Sequence, residues 1–219
     1  MAARCVFVTG STGYVGRALI PALLARGHTV RALARAASAN RIPAGAEPIL
    51  GNALDPVSYA EAIAPADTLI HLVGTPHPSP AKAESFQAVD LQSVHAAVAA
   101  AQAVQIRHFI YVSVAQPAPV MRAYLAARRA GEQLIYASNI PATIVRPWYV
   151  LGPGHRWPYL LLPLYGVLAL LPSTRPTARR LGLVTLGQMI GALVASVERV
   201  PKRVCTLDVP AIRAAGASG

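Results

Sequence analysis

Nothing constrains this chain more than the glycines at positions 10, 13 and 16. They follow an apolar, β-branched run, Arg4–Thr9. They precede a stretch, Tyr14–Arg26, in which Val15, Leu19, Ala22 and Leu23 recur at helical spacing before Gly27 closes it. A strand, a tight turn and a helix are thus written into the first 27 residues. Each glycine has a mechanical reason. The first permits the tight turn, the second lets the backbone approach a pyrophosphate, and the third lets helix pack on strand. The N-terminus of the helix then offers free N–H groups and a partial positive charge to phosphates. Pro21, inside the helical span, predicts a slight bend.

The same alternation runs down the chain. Strands are expected at Thr29–Leu33, Pro48–Leu50, Thr68–Val73, His108–Ser113, Ala142–Arg146 and Val204–Val209. Helices are expected at Val57–Ile63, Ala83–Val104, Val120–Ala137 and Leu186–Glu198. Gly74–Pro80 and Gln116–Pro119 read as loops, and the tail Ala211–Gly219 as disordered. Units this long, fewer than the eight of a closed barrel, predict an α/β fold with a doubly wound parallel sheet, which together with the glycine turn reads as an NAD(P)-binding Rossmann fold. Hydrophobic residues at 54% against 13% charged can cover such a sheet on both faces. With no long linker, residues 1–219 read as a single domain, in which residues of about 155–185 form a small C-terminal substrate lobe or lid.

Charge and chemistry exclude several classes. The net charge is +11, but the arginines are scattered, with no basic run, zinc-finger spacing or aromatic RNA-binding motif. No nucleic-acid partner is expected, and attraction for a phosphorylated cofactor is the simpler use of the charge. Cys5 and Cys205 sit in strand-like runs and read as buried free thiols in a reducing compartment. The first apolar run ends in a glycine turn, unlike a signal peptide, so a cytoplasmic protein is expected. His71 and His77 have no metal-ligand spacing and read as structural; no metal is expected. No G-x-S-x-G elbow points to a hydrolase. The apolar segment Trp157–Pro172, punctuated by Pro158, Pro163 and Pro172, is shorter than the ~18–20 residues that span a bilayer. It reads as a buried or lid helix. The other reading is a surface-bound hairpin making a peripheral membrane or protein contact, aided by the basic stretch Arg175–Arg180.

The wider motif, Val8-Thr9-Gly10-Ser11-Thr12-Gly13-Tyr14-Val15-Gly16, has G-x-x-G-x-x-G spacing and resembles the extended and atypical short-chain dehydrogenase/reductases. The resemblance continues through Val30–Arg35, Gly51–Asp55, Tyr111-Val112-Ser113 and Arg146–Gly154. It is closest to the subgroup with NmrA-like NAD(P)H-binding proteins and the dehydrogenase-like accessory subunit of respiratory complex I. The resemblance implies that Gly10, Thr12, Gly13, Tyr14, Val15 and Gly16 hold the dinucleotide. It further implies that Asn52 and Ala53 lie at the adenine and that Val73 and Gly74 pass beneath the adenosine ribose; Pro147 and Trp148, at the carboxyl edge after strand six, are expected to border the nicotinamide or substrate pocket.

Strand two bears on the cofactor's phosphate. An acid at its end would bind the adenosine ribose and repel a 2′-phosphate. This chain has Arg31 and Arg35 there and no Asp or Glu between Gly10 and Glu47. Arg35 is expected on a 2′-phosphate, which favours NADP(H) over NAD(H).

The superfamily's chemistry uses a Ser on a strand, a Tyr on the next helix and a Lys four residues on. Here Ser113 ends its strand and Tyr124 is followed by Arg128, at a spacing that places both on one helical face. Arginine supplies positive charge near a phenol but cannot join a relay through a neutral amine. Two readings stay open. In one the chain is an NADP-dependent oxidoreductase or epimerase-like enzyme, with Ser113, Tyr124 and Arg128 catalytic, acting on a small, largely apolar carbonyl or hydroxyl substrate. In the other it is a non-catalytic NADP(H)-binding redox sensor or assembly subunit, and an oligomer is compatible with both. His155, Arg156 and Trp157 are further expected near the substrate. Tyr111 and Tyr136 are expected to be packing residues.

Overall fold

The computed structural model describes residues 2–118, 120–153 and 180–216. The first strand, β1 (Cys5–Thr9), enters the glycine turn and α1 (Tyr14–Ala25). The chain continues through β2 (Thr29–Ala34), β3 (Glu47–Leu50), β4 (Thr68–His71) and a short helix α2 (Ala83–Ser85). It then passes α3 (Gln92–Ala103), β5 (His108–Val112), α4 (Arg122–Ala137), β6 (Ala142–Val145) and β7 (Tyr149–Leu151). Beyond residue 179 come β8 (Leu183–Thr185), α5 (Leu186–Glu198), β9 (Val204–Leu207) and α6 (Val209–Gly216). Seven strands form one sheet in the order β3-β2-β1-β4-β5-β6-β9, every pair parallel. The order reverses between β1 and β4, and in open parallel sheets ligands bind beyond the carboxyl ends of the strands at that point.

Strand alternation assigns the core. Val6 and Val8 of β1 face α1 and α5 with Leu19, Ile20, Leu23 and Leu193. Phe7 points the other way, to Leu69, Phe109, Val94, Ala97 and Ile135 beneath α3 and α4. Helices therefore cover both faces, as the composition requires.

Several expectations change. The helix expected over Ala83–Val104 is interrupted by a π-helical turn, Phe86–Leu91. Val57–Ile63 is two 3-10 turns, Pro56–Ser58 and Glu61–Ile63. The expected disordered tail is helix α6 as far as Gly216; Val209 and Ile212 are buried and hold it to the core. Cys205 is exposed and Cys5 half-buried, because β9 is an edge strand and Cys5 opens β1. Tyr136 is 50% exposed on α4, so only Tyr111 of that pair is a packing residue. The two-stranded β7–β8 pair was not anticipated: three-residue strands carry too little pattern to read. α5 starts at a capping box, Thr185 with Gln188. The apolar segment 157–172, with His155 and Arg156, lies outside the described residues, as does most of the expected lobe. Among the described residues no helix is long and apolar enough to cross a membrane.

Candidate cofactor and active site

The glycine turn is closed by backbone and hydroxyl groups alone. Gly13 N donates to Gly10 O at 3.1 Å, and the Ser11 hydroxyl donates to Leu33 O at 2.7 Å, tying the turn to the end of β2. Gly10 has φ +74°, and a Cβ there would meet the backbone of Leu72 and Val73 within 3.0 Å. A Cβ on Gly16 would lie 2.4 Å from Gly10 O and 2.6 Å from Ser11 O. Backbone atoms leave no room to adjust, so both positions require glycine. Thr12 and Gly13 remain accessible at the mouth of α1, whose N-terminus has no side-chain cap. A pyrophosphate there would satisfy the N–H groups that a cap otherwise takes. Val15 packs on the core, and Tyr14 reaches across to Gly152, where a Cβ would strike its hydroxyl.

At the adenosine end, the two arginines of strand two separate. Arg31 is spent on Glu47 at 2.7 Å and on Ala64 O. Arg35, one residue past β2, is exposed, and its guanidinium meets no partner among the described residues. Asn52 uses its side-chain oxygen to accept from Leu54 N at 3.1 Å, a local turn that leaves its NH2 outward, next to the half-buried Ala53.

At the other end a buried charge cluster dominates. Arg128, 6% exposed, extends from α4 beneath the carboxyl ends of β4 and β5. Its guanidinium pairs with Asp90 at 2.8 Å and donates to Val112 O at 3.1 Å, Val73 O at 3.4 Å and the Tyr111 hydroxyl at 3.4 Å. It also lies 5.2 Å from the centre of the Tyr124 ring. Burial opposes its charge, but Tyr124, Tyr111 and Asp90 together outweigh that and hold the proton more tightly than usual. The guanidinium is a permanent cation. Asp90 is fixed in turn: its second oxygen accepts from the backbone N of Thr75 at 2.9 Å and from the Thr75 hydroxyl. The π turn delivers it there, one extra residue per turn rotating the acid inward. Gly74 has a nearer reason to be glycine than a ribose: a Cβ would run into the Arg128 guanidinium.

His71 is fully buried below this cluster, bonded to Thr9 Oγ1 at 2.8 Å and Ser93 Oγ at 3.2 Å. Burial first, and then the Arg128 charge, push its pKa down to about 3, so it stays neutral and structural. Burial raises the Tyr111 pKa, against the pull of Arg128.

Ser113 N donates to Val145 O at 2.8 Å, and Ala115 N to Pro147 O at 2.9 Å, so the ends of β5 and β6 run on side by side. This brings Ser113 and Pro147 together, with Trp148 half-buried beyond and edge-on to Tyr149. Ser113 is 3% exposed, and its hydroxyl has no partner among the described residues. Below, Glu132 of α4 takes both ends of Arg146 (2.8 and 2.5 Å) and Gln116 Nε2 at 2.9 Å, pinning the β5 and β6 loops to the helix.

The Arg128 guanidinium thus links Val73, Gly74, the Tyr124 ring and the carbonyl just before Ser113, while the glycine turn is tied to the end of β2, beyond which lie Arg35 and, after the paired end of β3, Asn52. His77 is exposed in the loop after β4, two residues beyond Thr75. Among the described residues no group of side chains could hold a metal ion. Asp90, Thr75, Glu132 and Arg146 escaped the sequence reading. One signal for Asp90 was present: it is the lone acid between Glu84 and Glu132, set in an apolar helical run.

A family model described as NAD(P)H-binding matches residues 10–155. Among curated proteins, the chain is 32% identical over 168 residues to a 4-hydroxy-2-methyl-3-oxo-4-farnesyl-3,4-dihydroquinoline-1-oxide ketoreductase of Stigmatella aurantiaca. That match takes in 67% of this chain and 50% of the relative. It is 31% identical over 179 residues to a ceramide reductase of Caulobacter vibrioides, 80% of this chain and 55% of the relative. The chain therefore spans about half the length of these curated relatives. Among solved structures, a short-chain dehydrogenase/reductase superfamily protein from Agrobacterium tumefaciens with bound NAD matches with a TM-score of 0.67. The match is 18% identical and covers 96% of this chain and 81% of that one, a likeness of fold. The turn that only glycine can make and the strand reversal beside it lie inside the matched span, and the chain belongs to the NAD(P)H-binding family, built on a Rossmann fold.

Proposed function

We propose that the chain is an NADP(H)-dependent oxidoreductase that reduces a carbonyl, or oxidises the matching alcohol, in a largely apolar substrate. The observation that carries this is the Ser113 hydroxyl: buried, unpartnered among the described residues, and one residue beyond the carbonyl that Arg128 grips. A buried hydroxyl without a partner costs stability, and a substrate oxygen would satisfy it. The glycine cradle and the uncapped α1 fit a dinucleotide, and the unpartnered Arg35 at the end of β2 supports the 2′-phosphate form. The names of the two curated relatives, both reductases of molecules with long apolar parts, support the same substrate class.

Bound cofactor supplies the hydride. Ser113 orients the substrate oxygen, and Tyr124 donates its phenolic proton to that oxygen as the alcohol forms. Arg128 does not relay protons. Its fixed charge lies beneath the phenol, and its Nε, buried and unbonded among the described residues, is the donor left for a ribose hydroxyl. Pro147 and Trp148 border the reacting end and exclude water.

NADPH consumption with a panel of ketones tests this reading. Tyr124→Phe is expected to lower kcat by about 10²–10⁴-fold with little change in NADPH affinity. Turnover indifferent to that change overturns the mechanism. One observation favours a non-catalytic NADP(H)-binding role: Asp90 already balances the Arg128 charge. Tight NADPH binding with no turnover of any ketone selects that reading.

A further inference from the structure

Tyr124 is one wall of an open groove of about 470 Å³ that leads away from the Arg128 cluster. Phe86, at the start of the π turn, lies against the Tyr124 ring, with centroids 5.1 Å apart and planes at 59°. The groove continues past Pro80, Ala123, Met121 and Val120. No acidic side chain lines it among the described residues, and its one charged neighbour, Arg122, is exposed. Val120 is 52% exposed. A lone exposed valine is ordinary, but this one extends an apolar wall that begins at the candidate proton donor. Met121 adds an unbranched, polarisable side chain of the kind that adapts to irregular apolar ligands.

We infer that this groove binds an alkyl or acyl arm attached to the reacting carbon, so that the substrate is a long-chain ketone or secondary alcohol and Val120, Met121 and Phe86 read its length. This rests on the oxidoreductase reading above. The carbonyl meets Ser113 and Tyr124, and the arm runs over Phe86 toward Met121 and Val120. Burying each methylene in such a groove is worth ~0.8 kcal/mol, about a three- to fourfold gain in affinity.

The test is a series of 2-alkanones of increasing length, with two readouts. With NADPH, kcat/KM is expected to climb about three- to fourfold per methylene and then level off as the chain outgrows the groove. The slope is expected to flatten in Val120→Asp and in Met121→Ser. Independently, the thermal midpoint of the NADPH-saturated protein is expected to rise with alkanone length, and Val120→Asp to abolish that rise. Turnover with no dependence on length, or a slope that neither substitution changes, overturns the groove assignment while leaving the oxidoreductase reading intact. Length-dependent binding without any turnover does the reverse.

Discussion

The two ends of the crevice are built by different means. The glycine-turn end is a backbone device: Gly10 and Gly16 let main chain approach main chain, and hydrogen bonds of the backbone and Ser11 hold the result. The Tyr124 end is a charge device. Arg128, Asp90 and Tyr111 come from separate segments and are buried against one another, with the half-buried Thr75 bonded to Asp90 from a fourth. A backbone device tolerates no added atom but carries no net charge to desolvate. A buried ion pair tolerates some change of shape but not the loss of one partner, because the survivor is left charged without compensation.

That contrast breaks most sharply at Arg128. Arg128→Met leaves Asp90 unpaired and is expected to cost ~3–5 kcal/mol in urea unfolding, whereas Arg128→Met with Asp90→Leu is expected to recover much of it. If the double substitution is no better than the single one, the pair is not what holds this end. Gly16→Ala comes next. Its methyl meets two backbone carbonyls, and a loss of about 2–3 kcal/mol is expected, with NADPH affinity falling at least about 100-fold by fluorescence titration. Near-normal binding would mean that the turn relaxes.

Acid sensitivity comes next when read per pH unit, and it accumulates across the range. The His71 pKa is pushed down to about 3 by burial and by Arg128, and that of His108 to about 4, mainly by burial. Both lie below the ordinary value of 6.5. Between these values the unfolded chain binds protons that the folded chain does not. Stability is therefore fully present above about pH 6.5 and falls as the pH drops toward 4, each histidine contributing up to ~1.4 kcal/mol per pH unit. Urea midpoints across this range measure it, and His71→Gln is expected to remove that histidine's share of the slope. Smallest is Arg35→Ala, an exposed side chain, expected to weaken NADPH about fivefold and NAD(H) hardly at all. Arg31→Ala, whose partner is Glu47, is expected to change neither. Equal losses for the two cofactors would remove Arg35 from the 2′-phosphate.

The legibility of the site follows the same division. The glycine turn obeys a local rule of strand, turn and helix, whereas Ser113, Tyr124 and Arg128 were legible as candidates only through the family resemblance, which the i, i+4 spacing allows. The order of the fold was readable for the same reason as the turn, since hydrophobic periodicity names strands and helices one at a time. Asp90 was invisible as a partner because 38 residues separate it from Arg128 and a π turn, which no periodicity announces, rotates it inward. The tail beyond Ala211 looked disordered because its small residues promise little burial, yet Val209 and Ile212 find the core left open beside α5.

The sequence by itself determined that a strand runs into a turn only glycine can make, that a helix follows, and that Arg rather than an acid stands at the end of strand two. These are consequences of steric rules acting over a few residues. The tertiary structure alone decided that Arg31 is spent on Glu47 while Arg35 is left facing outward, and that Arg128 is clamped by Asp90 under Tyr124. Which charges meet depends on how segments far apart in the chain pack together, and the energy of a buried charge is set by those neighbours rather than by its own place in the sequence.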